Sequence, residues 1–170
     1  MSERTWIEQA KAAAEKMAAP GVSSVDELRS RSGLAFLRAI LDGELPSPPI
    51  GRTLNFVPIE VEKGRVVFQG TPQPEFYNPI GSIHGGWAAA LLDSCMGCAV
   101  HSTLEAGQGY TTIELKLNYV RALLPGSGPV RAEGRVIHAG RQVATAEGRL
   151  IGHDGRMYAH GSTTCLVFSR

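Results

Sequence analysis

The 170-residue sequence has few cysteines, no sustained hydrophobic run and almost no net charge. Its three cysteines (Cys95, Cys98, Cys165) cannot close a disulfide framework, so a reducing, cytoplasmic setting is expected. The longest apolar stretch, Trp87 to Leu92, is far short of the roughly 20 residues that cross a bilayer. Met1 to Met17 alternates charged and apolar residues and lacks the basic leader and apolar run of a signal peptide. Lys plus Arg number 17 against 16 for Asp plus Glu, and no basic block is concentrated anywhere, so nucleic acid is not an expected partner. The five histidines (His84, His101, His138, His153, His160) show no metal-ligand pairing, and no metal is expected. With 43% hydrophobic and 19% charged residues, the chain has the composition of one ordinary soluble domain. Function must be sought in local pattern.

The first fifty residues differ from the rest. Trp6, Ile7, Ala10, Ala13, Ala14 and Met17 recur at helical spacing, and the pattern stops at Pro20-Gly21. Ser24 with Glu27 forms a capping box that opens a second helix, and Leu34 to Leu41 carries a third apolar stripe ending at Gly43. Three prolines between Leu45 and Ile50 read as a connector. Residues 1–50 are therefore expected to form a helical extension and 51–170 the main domain. Beyond the connector the period becomes two. Leu54 to Glu62 and Arg65 to Gly70 flank a Lys63-Gly64 turn. A Pro-rich loop (Thr71 to Pro79) leads to one long helix from about Gly85 to Leu104. Four strands follow: Thr111 to Val120, Pro129 to Ala139, Val143 to Gly152 and Met157 to Phe168. Their short separators predict antiparallel neighbours in sequence order. Two strands, a helix and a run of strands is an α+β order.

The long helix is apolar or small on every side, so it has no solvated face and is expected to be buried along its length, with a strongly curved sheet wrapped around it. It contains one ionisable group, Asp93. A carboxylate there needs a partner or a purpose, because an unpaired charge in an apolar interior costs several kcal/mol. Its burial is expected to raise its pKa above the usual value of about 3.9. The helix starts His84-Gly85-Gly86, where first-turn amides have no intrahelical acceptor and glycine lets a ligand approach the backbone. Free amides at the positive end of a helix dipole suit a carbonyl oxygen that is gaining negative charge. Cys95-Met96-Gly97-Cys98 has redox-motif spacing but lies mid-helix, where core packing is its expected role.

The run Asn78-Pro79-Ile80-Gly81-Ser82-Ile83-His84-Gly85-Gly86, followed by the small-residue helix with Asp93, resembles the PaaI-type hotdog thioesterases. The resemblance covers about Leu54 to Phe168. It implies a hotdog fold, an antiparallel sheet wrapped around one long central helix, here with extra N-terminal helices. It also implies an acyl-CoA thioesterase whose catalytic set is Asp93, Gly85, Asn78, His84 and Thr112. Thr112 is the better match for a hydroxyl on the next strand, with Thr111 the other candidate. Gly86, Thr111 and Arg141 are expected to contact substrate, Arg141 through a CoA phosphate. In this scheme the Gly85 amide polarises the thioester carbonyl, and Asp93 acts as general base or as nucleophile. Asn78 orients the water or the carbonyl, and Thr112 holds the carboxylate. Asp154 and His160 lie on a turn and a strand, unlike the helical pair of hotdog hydratases.

No cofactor is implied beyond the CoA of the substrate. The implied assembly is a homodimer or dimer of dimers with shared sites. The competing reading is a non-catalytic acyl-CoA-binding or sensing protein on the same fold, for which a buried acid has no use. The acyl group itself is not specified by any of these residues.

Overall fold

The computed structural model describes residues 1–170. Three helices open the chain: α1 (Glu3–Lys16), α2 (Val25–Ser30) and α3 (Gly33–Leu41). Each is capped by a serine (Ser2, Ser24, Ser32) that accepts the amide three residues on, and Ser24 with Glu27 completes a capping box. The predicted connector is not featureless. The strands β1 (Ala18–Pro20) and β2 (Pro46–Ser47) pair in parallel, and α4 (Pro49–Thr53) begins inside the proline cluster. Pro49 starts that helix rather than blocking it, since the first helical position has no use for an amide hydrogen.

The main sheet contains β3 (Phe56–Glu62), β4 (Arg65–Gly70), β5 (Gln108–Tyr119), β6 (Val130–Ala139), β7 (Val143–Gly152) and β8 (Met157–Ser169). Its order is β3-β4-β6-β7-β8-β5, antiparallel throughout. One expectation fails here. β5 does not neighbour β6; it pairs only with β8 and forms one edge, while β6 lies beside β4. Residues 120–129 are a crossing segment long enough to carry the chain from that edge into the sheet, not a hairpin turn.

The sheet curls around α5 (Gly85–His101), the hotdog arrangement. Its inner face is lined with small residues, including Ala132, Ala144, Ala146 and Ala159, all fully buried. Gly134 and Gly148 allow the closest approach: a Cβ at Gly134 would lie 2.4 Å from the Cys95 carbonyl oxygen, and one at Gly148 would lie 2.9 Å from Met96 Cγ. From the helix, Leu91, Leu92, Cys95, Met96, Ala99 and Val100 fill the core. The leucine, methionine and valine side chains among them each contribute about 1.5–3 kcal/mol by leaving water. The expectation of burial all round is corrected. Ala89, Ala90, Asp93 and Ser94 form a half-exposed stripe, because the sheet closes over only part of the helix.

The N-terminal helices lie against this body. Trp6 of α1 is buried against the outer face of the sheet, with the Arg131 guanidinium 4.3 Å above its ring. Gln69 donates to the Trp6 carbonyl (2.8 Å) and accepts from Arg131 Nε (2.9 Å). α3 sends Leu37 into the main core, and Phe36, Ala39, Ile40 and Leu45 make a small cluster beside it. No helix is long and apolar enough to cross a membrane.

Candidate functional site

The first turn of α5 uses all but one of its leading amides. His84 is the N-cap, in extended conformation (φ −60°, ψ 133°), and its Nδ1 accepts from Gly86 N at 2.8 Å. The neutral ring therefore carries its hydrogen on Nε2. Trp87 N donates to the His84 carbonyl at 3.0 Å. Gly85 N, one residue before the range of intrahelical bonds, has no acceptor in the chain. This corrects the expectation for Gly86, whose amide is engaged by His84; the donor left for a ligand is Gly85 N–H.

The other side of Gly85 is held by a residue that the sequence did not suggest. Tyr119, the last residue of β5, donates its hydroxyl to the Gly85 carbonyl at 2.9 Å. A Cβ at position 85 would lie 3.2 Å from Tyr119 Cζ, so glycine is what allows this approach. Burial pushes the Tyr119 phenol above its ordinary value, which keeps it a donor. No local signal reveals the pairing, which depends on β5 ending beside the helix start.

Beyond Gly85 lies a cavity of about 370 Å³, with Ile83, Ala88, Leu123, Leu150 and Tyr158 among its walls. Asp93 and Thr112 do not line it. They meet elsewhere: Thr112 donates its hydroxyl to Asp93 Oδ1 at 3.0 Å, and Asp93 is half-buried on the open stripe of α5. The full burial expected for Asp93 is therefore not supplied by this chain alone. The β5–β8 ladder shifts register between Thr112 and Glu114, a bulge that ends the regular alternation next to Thr112. Thr111 is exposed and faces away from Thr112, opposite Leu166, so it does not join the acid.

Asn78 is largely committed to its own loop, with one Nδ2 hydrogen left over. Its Oδ1 accepts from Ile80 N (3.1 Å) and Ser82 N (3.2 Å), and its Nδ2 donates to Ser82 Oγ (2.9 Å). The side chain builds the tight loop, with Gly81 at φ +83°, that delivers the chain to His84. Arg141 stands exposed on the β6–β7 connection, two residues before Val143, which is aligned through Leu166 with Thr111. It therefore lies toward the Thr112 end of β5, not the Tyr119 end. Cys95 is buried and donates to the Leu92 carbonyl; burial pushes its thiol well above the ordinary value and that of Cys98 up to about 12, which leaves no reactive thiolate. No group of three or more His, Cys, Asp or Glu side chains is placed to hold a metal ion.

The structure thus splits the candidate site into two halves. Gly85 and Asp93 are eight residues apart, about 12 Å along the helix. Tyr119 and Thr112, the residues of β5 that touch them, are seven apart, about 23 Å along the strand.

Comparison with known proteins bears on this arrangement. Residues 80–159, which include Gly85, Asp93 and Thr112, match the thioesterase superfamily. The proofreading thioesterase EntH of Klebsiella pneumoniae is 30% identical over 103 residues, 61% of this chain and 74% of that protein. A structure from Ralstonia eutropha, described as a phenylacetic acid degradation-related protein, superposes with a TM-score of 0.70 at 31% identity, covering 76% of this chain and 98% of that one. A Streptococcus mutans protein solved with acetyl-CoA bound superposes with a TM-score of 0.61 at 25% identity, covering 68% and 90%.

Proposed function

Since the chain belongs to the thioesterase superfamily, with a PaaI-type hotdog fold, we propose that it hydrolyses an acyl-CoA to the free acid and CoA, in a site that two copies build together. The observation that carries this reading is the unengaged Gly85 N–H, set at the positive end of a long helix and beside an apolar cavity. That donor fits the oxygen of a thioester carbonyl and binds it more strongly as negative charge develops. Asp93 then takes a proton from water as the water oxygen attacks the carbonyl carbon, or attacks that carbon itself. The C–S bond breaks, and the sulfur leaves as thiolate and is protonated. In the direct route, water hydrolyses the resulting anhydride. Thr112 holds the carboxylate through Oδ1, leaving Oδ2 for the reaction. No cofactor is required beyond the CoA of the substrate, and the CoA-bound Streptococcus mutans relative supports that substrate class.

A second copy of the chain supplies the missing half. β5 is an unpaired edge whose apolar residues are open, with Ile113 59% and Tyr119 54% exposed. Two β5 edges that pair antiparallel about a two-fold axis can place Tyr119 opposite the partner's Thr112. The same register brings Gly85 toward the partner's Asp93 and covers the half-exposed stripe of α5. Such a dimer has two equivalent sites, and a dimer of dimers keeps both.

Complementation tests the proposal. Gly85→Pro removes the amide hydrogen at a first helical position, where His84 is already extended as proline requires. Asp93→Asn removes the base or nucleophile, and each variant alone is expected to lose at least about a hundredfold in turnover. Co-refolding equal amounts gives half mixed dimers, each with one intact site, and about a quarter of wild-type activity returns. Proven mixed dimers without recovery would place the site within one chain. Near-normal hydrolysis by Asp93→Asn would remove the acid from the mechanism.

A further inference from the structure

The cavity beside Gly85 has a direction. At its rim stand exposed residues, His84, Val120, Arg121 and Ala122, with Tyr119 over the helix start. At its floor are buried ones, Ile83, Ala88, Leu123, Leu150, Tyr158 and Ala159. The unengaged Gly85 amide is therefore at the entrance and the apolar floor behind it. A thioester whose carbonyl sits on Gly85 N has two arms. The CoA arm carries two amides and must run on through pantetheine to phosphates that stay in solvent, so it cannot end on a closed apolar floor. The acyl arm is the one that enters.

Tyr158 is the largest side chain of that floor, and a backbone irregularity puts it there. In the β7–β8 ladder Leu150 pairs with Ala159 and Ile151 with Met157, so Tyr158 is an extra residue without a partner. A bulge of this kind breaks the alternation of a strand and re-aims a side chain. Here Tyr158 and its neighbour Ala159 both face the cavity, and Tyr158 is only 6% exposed. Its carbonyl, freed from the ladder, accepts from Val120 N (2.9 Å) and Arg121 N (3.2 Å), which fastens the rim to the floor. The depth of the chamber is thus fixed by one bulge.

Resting on the thioesterase reading above, we infer that this cavity is the acyl chamber and that Tyr158 sets the length of acyl group it accepts, so that the substrates are compact acyl-CoAs. At roughly 30 Å³ for each water-sized group, 370 Å³ holds about a dozen non-hydrogen atoms, the carbonyl included. That admits a short or medium aliphatic chain or a single ring and excludes a long fatty chain.

The test is the ratio of kcat/KM across straight-chain acyl-CoAs from acetyl to palmitoyl. Wild type is expected to act on the compact members and to lose at least about tenfold in kcat/KM for palmitoyl-CoA, the scale on which poorly fitting methylenes are rejected. Tyr158→Ala is expected to raise the long-to-short ratio by about tenfold or more. Tyr158→Phe keeps the ring and so keeps the cut-off, whatever its absolute rate. Ala122→Leu, on the exposed rim where folding is not at risk, is expected to move the cut-off toward shorter chains and serves if Tyr158→Ala does not fold. A wild-type profile that stays flat to palmitoyl, or cavity variants whose folded forms give the wild-type profile, overturns the inference while leaving the thioesterase reading intact. If wild type hydrolyses no acyl-CoA, that reading fails and the chamber is judged by binding of S-alkyl-CoA thioethers. Tight binding confined to short alkyl groups upholds it, and equal binding of all lengths overturns it.

Discussion

The two ends of α5 belong to one helix and are treated in opposite ways. At the C-terminal end the last carbonyls of the helix are all engaged. Ser102 donates to the Ala99 carbonyl (2.7 Å) and accepts from Gly64 N (2.8 Å), and Gly33 N donates to the Leu104 carbonyl (2.9 Å). His101 is buried between Phe36 of the extension and Tyr110 of β5, each ring centroid 5.5 Å away. At the N-terminal end the cap residue is exposed, one amide has no partner and the wall beside it is hollow. An amide left without a protein partner beside a cavity is available to a ligand. The N-terminal extension packs against the sealed end of α5 and leaves open the end proposed to hold the thioester.

The sharpest way to break this contrast is to add one methyl group at each end. In Gly33→Ala the new Cβ would lie 1.7 Å from the His101 carbonyl oxygen and 2.5 Å from its ring. Backbone must move to admit it, and the loss is expected to exceed about 3 kcal/mol, the upper range of ordinary overpacking. In Gly85→Ala the nearest atoms belong to the Tyr119 side chain, at 3.2–3.4 Å, and can yield. Its cost is expected to stay below about 1 kcal/mol. Urea midpoints of the two variants measure the difference, and equal losses would show that the ends are not distinct.

The sealed end should also respond to acid. Burial, with the Arg170 charge adding to it, pulls the His101 pKa down to about 4 from its ordinary 6.5. The unfolded chain therefore binds a proton below about 6.5 that the folded chain refuses until about 4. Stability from this residue is complete above 6.5 and falls as pH drops through that window, by about 3 kcal/mol in all. Unfolding free energies at pH 7 and pH 4.5 should show the loss, and His101→Gln, which does not titrate there, should show a shallower one. Identical slopes would mean that other groups govern acid sensitivity.

How far the sequence reveals this molecule follows the same division between local and distant causes. The helices α1, α2, α3 and α5, the β3–β4 turn and the strands from β6 onward were legible, because caps, turn residues and periodicity act over a few positions. The hotdog wrap was legible from the small-residue helix and the motif around His84. The placement of β5 was not, since a strand's partner is set by the whole sheet, and nothing local to Thr111–Val120 distinguishes an edge beside β8 from a neighbour of β6. Of the candidate site, Gly85 and Asp93 stood out because a glycine pair at a helix start and a lone acid in an apolar helix are local anomalies. Asn78 stood out as a polar group before the helix, but the loop it builds with Ile80 and Ser82 appears only in the three-dimensional hydrogen bonding. Tyr119 and Tyr158 carried no signal, because one depends on where β5 ends and the other on a bulge.

Tyr119 offers the smallest and most selective perturbation. Its hydroxyl is the one side-chain hydrogen bond to the Gly85 carbonyl, and it acts on the carbonyl side of the residue whose amide is proposed to face the substrate. It is a positioning residue: it touches Gly85, and through Gly85 it fixes the direction of the N–H. Tyr119→Phe removes one hydrogen bond and keeps the ring against the glycine, so stability should change by no more than about 1 kcal/mol. A merely structural role would end there. If the bond aims the amide, the loss appears when charge develops on the carbonyl oxygen, since that is when alignment matters most. Then kcat should fall about three- to tenfold while KM stays within about twofold, because an interaction made chiefly in the transition state lowers kcat and kcat/KM together. A rise in KM at unchanged kcat would instead assign Tyr119 to substrate binding alone, and unchanged kinetics would leave the Gly85 peptide held by the helix without help.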